Sequence, residues 1–376
     1  MVPQRYLALE GLRGVAALCV VFYHVAWPTH FSGLQLTQNA YLAVDFFFIL
    51  SGFVIAANYA NRIGDARALG AFLTKRFFRL YPLHFVILVA LVALETVKWV
   101  YVGNGASEVP PFTGPNSPAL LIENLLMLQG LGLEDRLGWN PPAWSVGSEF
   151  FVYLLFGWVA LTGAVRRGWK VTAACAASLV AYLAIAVTMH TLDVTFGLGR
   201  VRCIAGFTIG VVIWLYSPKD WPMATVVALV AAILSAIVMA FLGGGAAVMV
   251  IPLFIALVAA LQYDRGSVAR VLSARPTQFL GRISYSIYLT HMPIIYVFTI
   301  ILKRVAHVPS HAGPHRQILA IASPWVGDLL FAAVIAAVLA TSWVTYSLVE
   351  EPARLFGRRV TKPFSVRQGQ LARAPG

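Results

Sequence analysis

The sequence predicts an all-α fold: a polytopic membrane helix bundle of about ten transmembrane helices with both termini cytoplasmic. Three observations predict it. Hydrophobic residues make up 59% of the 376 positions and charged residues only 11%, with a mean hydropathy of +0.77. A soluble domain carries about a quarter charged residues. Apolar runs follow one another from Leu12 to Leu348, each long enough to cross a hydrocarbon core of roughly 30 Å as helix. Lysine and arginine gather in alternate connections between those runs, as the positive-inside rule requires.

In chain order, the first span is expected at about 11–29 and the second at about 40–60, joined by a loop short enough to make them neighbours. The third is placed at about 80–102, directly after the basic run Lys75-Arg76-Phe-Phe-Arg79-Leu-Tyr-Pro82. The stretch Pro118 to Leu131 is too short to cross and is expected to lie on the membrane or dip into it. The fourth span, about 144–164, opens at Trp139-Asn-Pro-Pro-Ala-Trp144. There Pro141 and Pro142 make a rigid entry, Trp144 suits the membrane interface and Ser145 is a fair N-cap. Further spans follow at about 170–190, 200–217, 222–242, 244–262, 281–303 and 325–349, and Pro352 is expected to stop the last.

Orientation follows from the basic residues. Arg67, Lys75, Arg76 and Arg79 follow the second span, Arg166, Arg167 and Lys170 the fourth, and Arg265, Arg270 and Arg275 the eighth. Arg354, Arg358, Arg359 and Lys362 follow the tenth. The long loop after the third span carries Glu108, Glu134 and Asp135 against Arg136 alone. Lys303, Arg304 and Arg316 disagree, falling on the outer side beside three histidines. The majority makes both termini cytoplasmic and the protein a multi-pass resident of the inner (plasma) membrane. Residues 1–355 are read as one membrane unit and 356–376 as a short basic cytoplasmic tail, with no soluble domain, linker or repeat.

The net charge of +13 is mostly this topology signal, and contact with anionic membrane lipid accounts for more of it. It calls for no nucleic acid, and part of it could bind a phosphorylated cosubstrate. Cys19, Cys175 and Cys203 stand within spans at no metal-ligand or disulfide spacing and read as buried thiols. The first span lacks a clean small-x-small cleavage site, so it is read as a retained helix and not as a signal peptide.

Function is sought in the ionisable residues inside the spans, since each costs roughly 2.5–3.5 kcal/mol on insertion scales. Arg13 and His24 share the first span, eleven positions apart. At about 100° per residue that spacing returns to nearly the same helix face, roughly 16 Å further on. Asp45 stands about five residues into the second span from the same surface, and Glu149 about five into the fourth. His24, Asp45 and Glu149 therefore share one depth. A carboxylate beside His24 would fix its tautomer and raise its basicity, although an ion-pair cluster tying three helices together fits the same depths. At the other surface Lys75, Arg76 and Arg79 alone would be a topology determinant. With Arg13 at the same level they make a cationic cluster whose guanidiniums suit phosphate. Arg202 could bind an anionic acceptor or pair with an acid such as Glu149. In Ser284-Tyr-Ser-Ile-Tyr288-Leu-Thr-His291, Tyr288 and His291 lie on one face. A satisfied core histidine and a catalytic one both fit His291. Glu350 could simply neutralise a neighbouring arginine.

These motifs together resemble the acyltransferase-3 family of bacterial membrane O-acyltransferases. That family includes acetylases of O-antigen, exopolysaccharide and nodulation factors and acylases of macrolide sugars. Arg13 and His24 match its Arg/Lys-x10-His element, and Asp45-Phe-Phe-Phe-Ile-Leu-Ser-Gly-Phe53 its Asp-Phe-Phe-x-x-x-Ser-Gly element. Lys75-Arg76-x-x-Arg79-Leu-Tyr-Pro82 and Trp144-Ser-Val-Gly-Ser-Glu149-Phe-Phe-Val-Tyr153 match two more. Arg202, the Tyr288 to His291 stretch and Glu350-x-Pro352 also fit. The resemblance covers about residues 5 to 355. Val146 replaces the usual Leu and Phe150 a second acid, so the carboxylate role falls to Glu149 alone.

The resemblance implies transfer of a small acyl group, acetyl first among them, from acyl-CoA to a hydroxyl of a glycan or glycoconjugate. Arg13, Lys75, Arg76 and Arg79 would hold the CoA phosphates. His24 would act as general base or transient acyl carrier, with Asp45 and Glu149 beside it as catalytic partners. Trp144, Ser145, Arg202, Tyr288 and His291 would contact the substrate. No metal and no permanently bound cofactor is expected. Some relatives carry an extracytoplasmic esterase-like domain for which this sequence has no room, so it either completes transfer alone or hands the acyl group to a separate extracytoplasmic protein. The alternative is a proton-coupled transporter or flippase for a glycan or lipid-linked substrate, which buried Asp, Glu and His also describe. No internal repeat and no matched pair of broken helices supports it. A polyprenyl-dependent glycosyltransferase would want a large soluble loop, and none is present.

Overall fold

The computed structural model describes residues 5–102, 110–134, 136–195, 197–312 and 317–371. Glu108, Asp135 and Arg316, used above to read orientation, lie outside the described residues, as do the last residues of the basic tail. All ten apolar stretches are helical. Among the described residues nine helices are long and apolar enough to cross a membrane. The tenth stretch forms α1 (Leu7–Tyr23), whose 17 residues rise about 26 Å. Around it stand α2 (Gln35–Gln38), α3 (Ala43–Tyr59), α4 (Ala66–Val102), α5 (Pro118–Leu125), α6 (Ala143–Leu161), α7 (Gly168–Met189) and α8 (Gly199–Tyr216). Then come α9 (Ala224–Phe241), α10 (Val250–Leu261), α11 (Gly266–Leu272), α12 (Arg275–Arg304), α13 (Pro324–Thr345) and α14 (Glu351–Leu371). Among the described residues the one departure from an all-α chain is a small hairpin, β1 (Ser310–Ala312) against β2 (Gln317–Leu319), antiparallel with Ser310 opposite Leu319.

Four helices differ from expectation for identifiable reasons. The first starts four residues earlier than 11, because Asp264 caps it from across the bundle. Its Oδ2 accepts from the Leu7 amide at 3.1 Å and its Oδ1 from the Ala8 amide at 2.7 Å, satisfying orphan donors of the first turn. It ends at Tyr23, so His24 is its C-cap and does not lie inside a longer helix. The third span runs from Ala66, with Asp65 accepting from the Ala68 amide at 2.7 Å, so the basic run lies within α4 and Pro82 in its interior. Ser145 is not an N-cap: α6 begins at Ala143 after Pro142, and the Ser145 hydroxyl donates back to the Pro142 carbonyl at 3.1 Å. Pro352 does not stop the last helix. Residues Tyr346–Glu350 widen into a π turn, Pro352 falls in the first turn of α14 where its missing N–H costs little, and helix continues to Leu371.

Two close helix pairs position the polar residues. In a membrane, association depends on packing, so small residues that let backbones approach are decisive. Gly14 of α1 faces Gly281 of α12 so tightly that a Cβ on either would overlap the opposite backbone. On the second pair, Gly206 and Gly210 of α8 face Phe48, Ile49 and Phe53 of α3, and Gly52 faces the Phe207 carbonyl. Both pairs run parallel, since contacts advance together along each partner. α14 lies along the first half of α4, with Phe356 edge-on to Phe78 at 5.1 Å and Gly357 against the same ring. Because Asp264 meets the start of α1, and α14 meets α4 near Arg76, several basic connections collect at the end of the bundle where α1 begins.

Candidate active site

Parallel packing of α1 on α12 sets the frame. At one end the Arg13 guanidinium donates to the Ser284 hydroxyl and to the Gly281 carbonyl, both at 2.9 Å. At the other, His24 Nδ1 lies 3.3 Å from His291 Nε2, the rings 4.9 Å apart. The shared face predicted from the eleven-residue spacing is therefore real, and α12 is what both residues face.

From the Arg13 end a cleft of about 850 Å³, counted with its open mouth, runs into the bundle between α1, α3, α4, α6 and α12. Arg13, Arg76 and Arg79 line it together, as the sequence suggested. Their circumstances differ. Arg79 is neutralised by an ion pair with Glu350, which is 1% exposed and also accepts from Ser286 at 2.7 Å. That is the neutralising role expected of Glu350. Arg76 stacks over Tyr59 at 5.3 Å and Tyr153 at 5.8 Å, and donates to the Tyr59 hydroxyl at 3.3 Å. Its buried Nε has no partner among the described residues. Lys75 precedes it on α4 but lies outside the cleft lining.

Midway, Glu149 Oε1 accepts from the Ser51 and Tyr153 hydroxyls, each at 2.5 Å. This corrects the expected cluster: Glu149 faces the cleft with the guanidiniums and does not join His24 and Asp45. At the inner end the hydroxyls of Tyr288 and Ser145 lie 2.7 Å apart, and each lies 3.1 Å from the Pro142 carbonyl. Both residues line the cleft. The next turn of α12 carries His291, its ring 5.9 Å from that of Tyr288. The cleft thus leads from three guanidiniums to the threshold of the two histidines.

The pairing expected between His24 and Asp45 is overturned. Asp45, fully buried, accepts from Arg202 Nε at 3.1 Å and Nη2 at 2.5 Å, and from the Tyr182 hydroxyl at 3.0 Å. Arg202 therefore pairs with Asp45 and not with Glu149. It lies over the rings of Trp144 at 5.8 Å and Tyr41 at 6.0 Å. Trp144, expected at the interface, is buried at 5% exposure against Gly199 and Phe48. Beside His24 the structure adds Tyr23, whose ring lies 4.9 Å away and whose hydroxyl donates to Asp193 at 2.5 Å.

The sequence assigns no role to Ser51 and Tyr153, which line the cleft, or to Tyr59, which stacks on Arg76. Only Tyr153 left a local signal, four residues after Glu149 and so on the same helix face. Ser51 reaches Glu149 across 98 positions, which no local pattern reveals.

Residues 6–347 match the family model described as an acyltransferase domain. Among similar sequences, protein 2 in the picA locus of Rhizobium radiobacter is 36% identical over 161 residues, 41% of this chain and 82% of that protein. Acyltransferase MdmB of Streptomyces mycarofaciens is 33% identical over 189 residues, 47% of this chain and 45% of that protein. Peptidoglycan O-acetyltransferase OatA of Listeria monocytogenes is 23% identical over 327 residues, 79% of this chain and 50% of that protein. The chain thus spans about half the length of the latter two. No solved structure matches it.

Proposed function

From the premise that this chain belongs to the acyltransferase domain family, and is a multi-pass membrane acyltransferase, we propose that it moves a small acyl group from acyl-CoA to a hydroxyl of a glycan. One observation carries the reading. The cleft, lined at one end by the guanidiniums of Arg13 and Arg76, reaches Tyr288, one turn before His291 and the histidine pair roughly 16 Å from Arg13 along α1. That is a layout for a long donor with charged phosphates at one end and a reactive thioester at the other.

In this reading the Arg13 end faces the cytoplasm and the membrane is the inner one. Arg13 and Arg76 take the phosphates. Arg79, already neutralised by Glu350, contributes position more than charge. The arm passes Glu149, Ser51 and Tyr153, and the acyl carbon arrives near Tyr288 and Ser145. His24 takes the proton of the acceptor hydroxyl, whose oxygen attacks the thioester carbonyl. The C–S bond then breaks, and the departing thiolate takes the proton back from the His24 imidazolium, leaving ester, free thiol and neutral His24. The glycan as acceptor is supported by OatA, named for peptidoglycan O-acetylation.

The test is thiol release from acyl-CoA by purified protein supplied with membrane extract as a mixed acceptor pool, for wild type, His24→Ala and Arg76→Ala. Release lost in both variants supports the reading. A folded His24→Ala protein that transfers at the wild-type rate ends it.

A further inference from the structure

Asp45, the carboxylate expected to orient His24, is committed to Arg202, and the contacts of His24 Nδ1 are with the Val20 carbonyl and His291. A neutral imidazole carries one N–H, and a carbonyl oxygen only accepts. His24 Nδ1 lies 2.8 Å from the Val20 carbonyl, so in the neutral ring the proton sits on Nδ1. His291 Nδ1 lies 3.2 Å from the Ile287 carbonyl, so its proton sits there too and its Nε2 is a lone pair. That Nε2 is the atom 3.3 Å from His24 Nδ1. The two carbonyls, each four residues back on its own helix, give one consistent assignment. His24 Nδ1–H is shared between Val20 and His291, and His24 Nε2 is the basic nitrogen. A protonated His291 would set N–H against N–H.

We propose that His291 is the positioning residue of the acyl-transfer site, accepting from His24 Nδ1–H so that His24 Nε2 is the base and its imidazolium is steadied by a neutral partner. The proposal rests on His24 being the reacting imidazole. When Nε2 takes the acceptor proton, the charged ring donates more strongly through Nδ1, and His291 receives that bond without itself gaining a charge. The groups around the pair stay constant in the test. Among them are Tyr23 with Asp193 and Tyr41 on one side, Tyr288 on α12, and the Asp45–Arg202 pair on α3 and α8. α13 presents the uncharged Ser342, bonded to Thr290.

The full chain in detergent is treated with diethyl pyrocarbonate across pH, and modification of the His24 peptide is followed by mass spectrometry beside the acyl-transfer rate. His291→Phe is expected to move the His24 midpoint down by about half a pH unit or more and to lower kcat about tenfold, with KM for the acyl donor unchanged. His291→Gln, whose amide oxygen can accept the same bond, is expected to restore both. A folded His291→Phe protein with the wild-type midpoint overturns the proposal. Histidine-¹⁵N spectra of wild type, assigned by the signals lost in His24→Ala, need no folded His291 variant. An Nδ1-protonated neutral His24 supports the proposal, and an Nε2-protonated one overturns it. Full activity in His24→Ala would instead overturn the function, while the spectra still report the pair.

Discussion

Asp45 and Arg202 form a two-bond ion pair inside the α3–α8 interface, with both side chains at most 1% exposed. Tyr182 adds a third bond to the carboxylate, and Trp144 and Tyr41 flank the guanidinium. Breaking a buried pair by removing one partner costs about 3–5 kcal/mol, because the other charge is left uncompensated. Asp45→Leu alone should therefore lower thermal stability in detergent sharply. Asp45→Leu combined with Arg202→Met should recover most of it, since apolar replacement of both is close to neutral. If the recovered double variant also transfers acyl groups, Asp45 braces the fold. Activity absent from a fully stable double variant would return Asp45 or Arg202 to the chemistry.

Arg76 and Arg79 stand one turn apart on α4, yet different outcomes are expected of them. Arg76 has donors to spare, so Arg76→Ala should raise KM for the acyl donor about tenfold to a hundredfold, the worth of a charge-assisted hydrogen bond, at unchanged stability. Arg79→Ala leaves Glu350 buried and unpaired, and should show first as lost stability. Replacing both, as Arg79→Met with Glu350→Leu, should restore the fold and hold the donor KM within about threefold of wild type. A restored fold with a KM as poor as that of Arg76→Ala would make Arg79 a donor ligand.

The division between what the sequence reveals and what it hides follows from distance along the chain. Helix existence is written in hydropathy, and the Arg13–His24 face in the helical repeat, so both are readable from one segment. Depth is only partly legible, since the count from the helix ends put Glu149 level with His24, whereas it faces the cleft with Ser51 and Tyr153. Partner choice is not legible, because Asp45, His24, Arg202 and His291 come from four helices whose rotation is set by Gly14, Gly52, Gly206, Gly210 and Gly281. Those glycines look like ordinary membrane-helix residues until the opposing backbone is seen. Helix ends failed for a related reason. The start of α1 is capped by Asp264, 256 positions from Ala8, and the π turn before Pro352 has no local signature.

Gly14 tests that frame directly. Its Cα lies against the backbone at Leu280 and Gly281, so Gly14→Leu must push α1 off α12. Overpacking of this kind costs typically 1–3 kcal/mol, and here it also separates Arg13 from Ser284 and His24 from His291. Folded Gly14→Leu protein should lose donor affinity and turnover together, a double loss that neither Arg76→Ala nor His291→Phe should show. A variant whose KM and kcat both match wild type would mean that the α1–α12 contact does not set the site.

Gly357 decides what the residues after Pro352 do. If they were a loose tail, Gly357→Leu would be silent. In the structure Gly357 meets the Phe78 ring, and Phe78 stands on α4 between Arg76 and Arg79. Thr361, one turn on, is buried at 1% exposure. A leucine at 357 must lift α14 from α4 or turn Phe78 toward the cleft wall. Trypsin should then cut faster after Arg358 and Arg359, which a packed helix protects, and KM for the acyl donor should rise as the Arg76 wall moves. Cleavage at the wild-type rate with an unchanged KM would show that α14 does not support the cleft. Faster cleavage with an unchanged KM would separate the helix from the site, leaving Phe78 as packing alone.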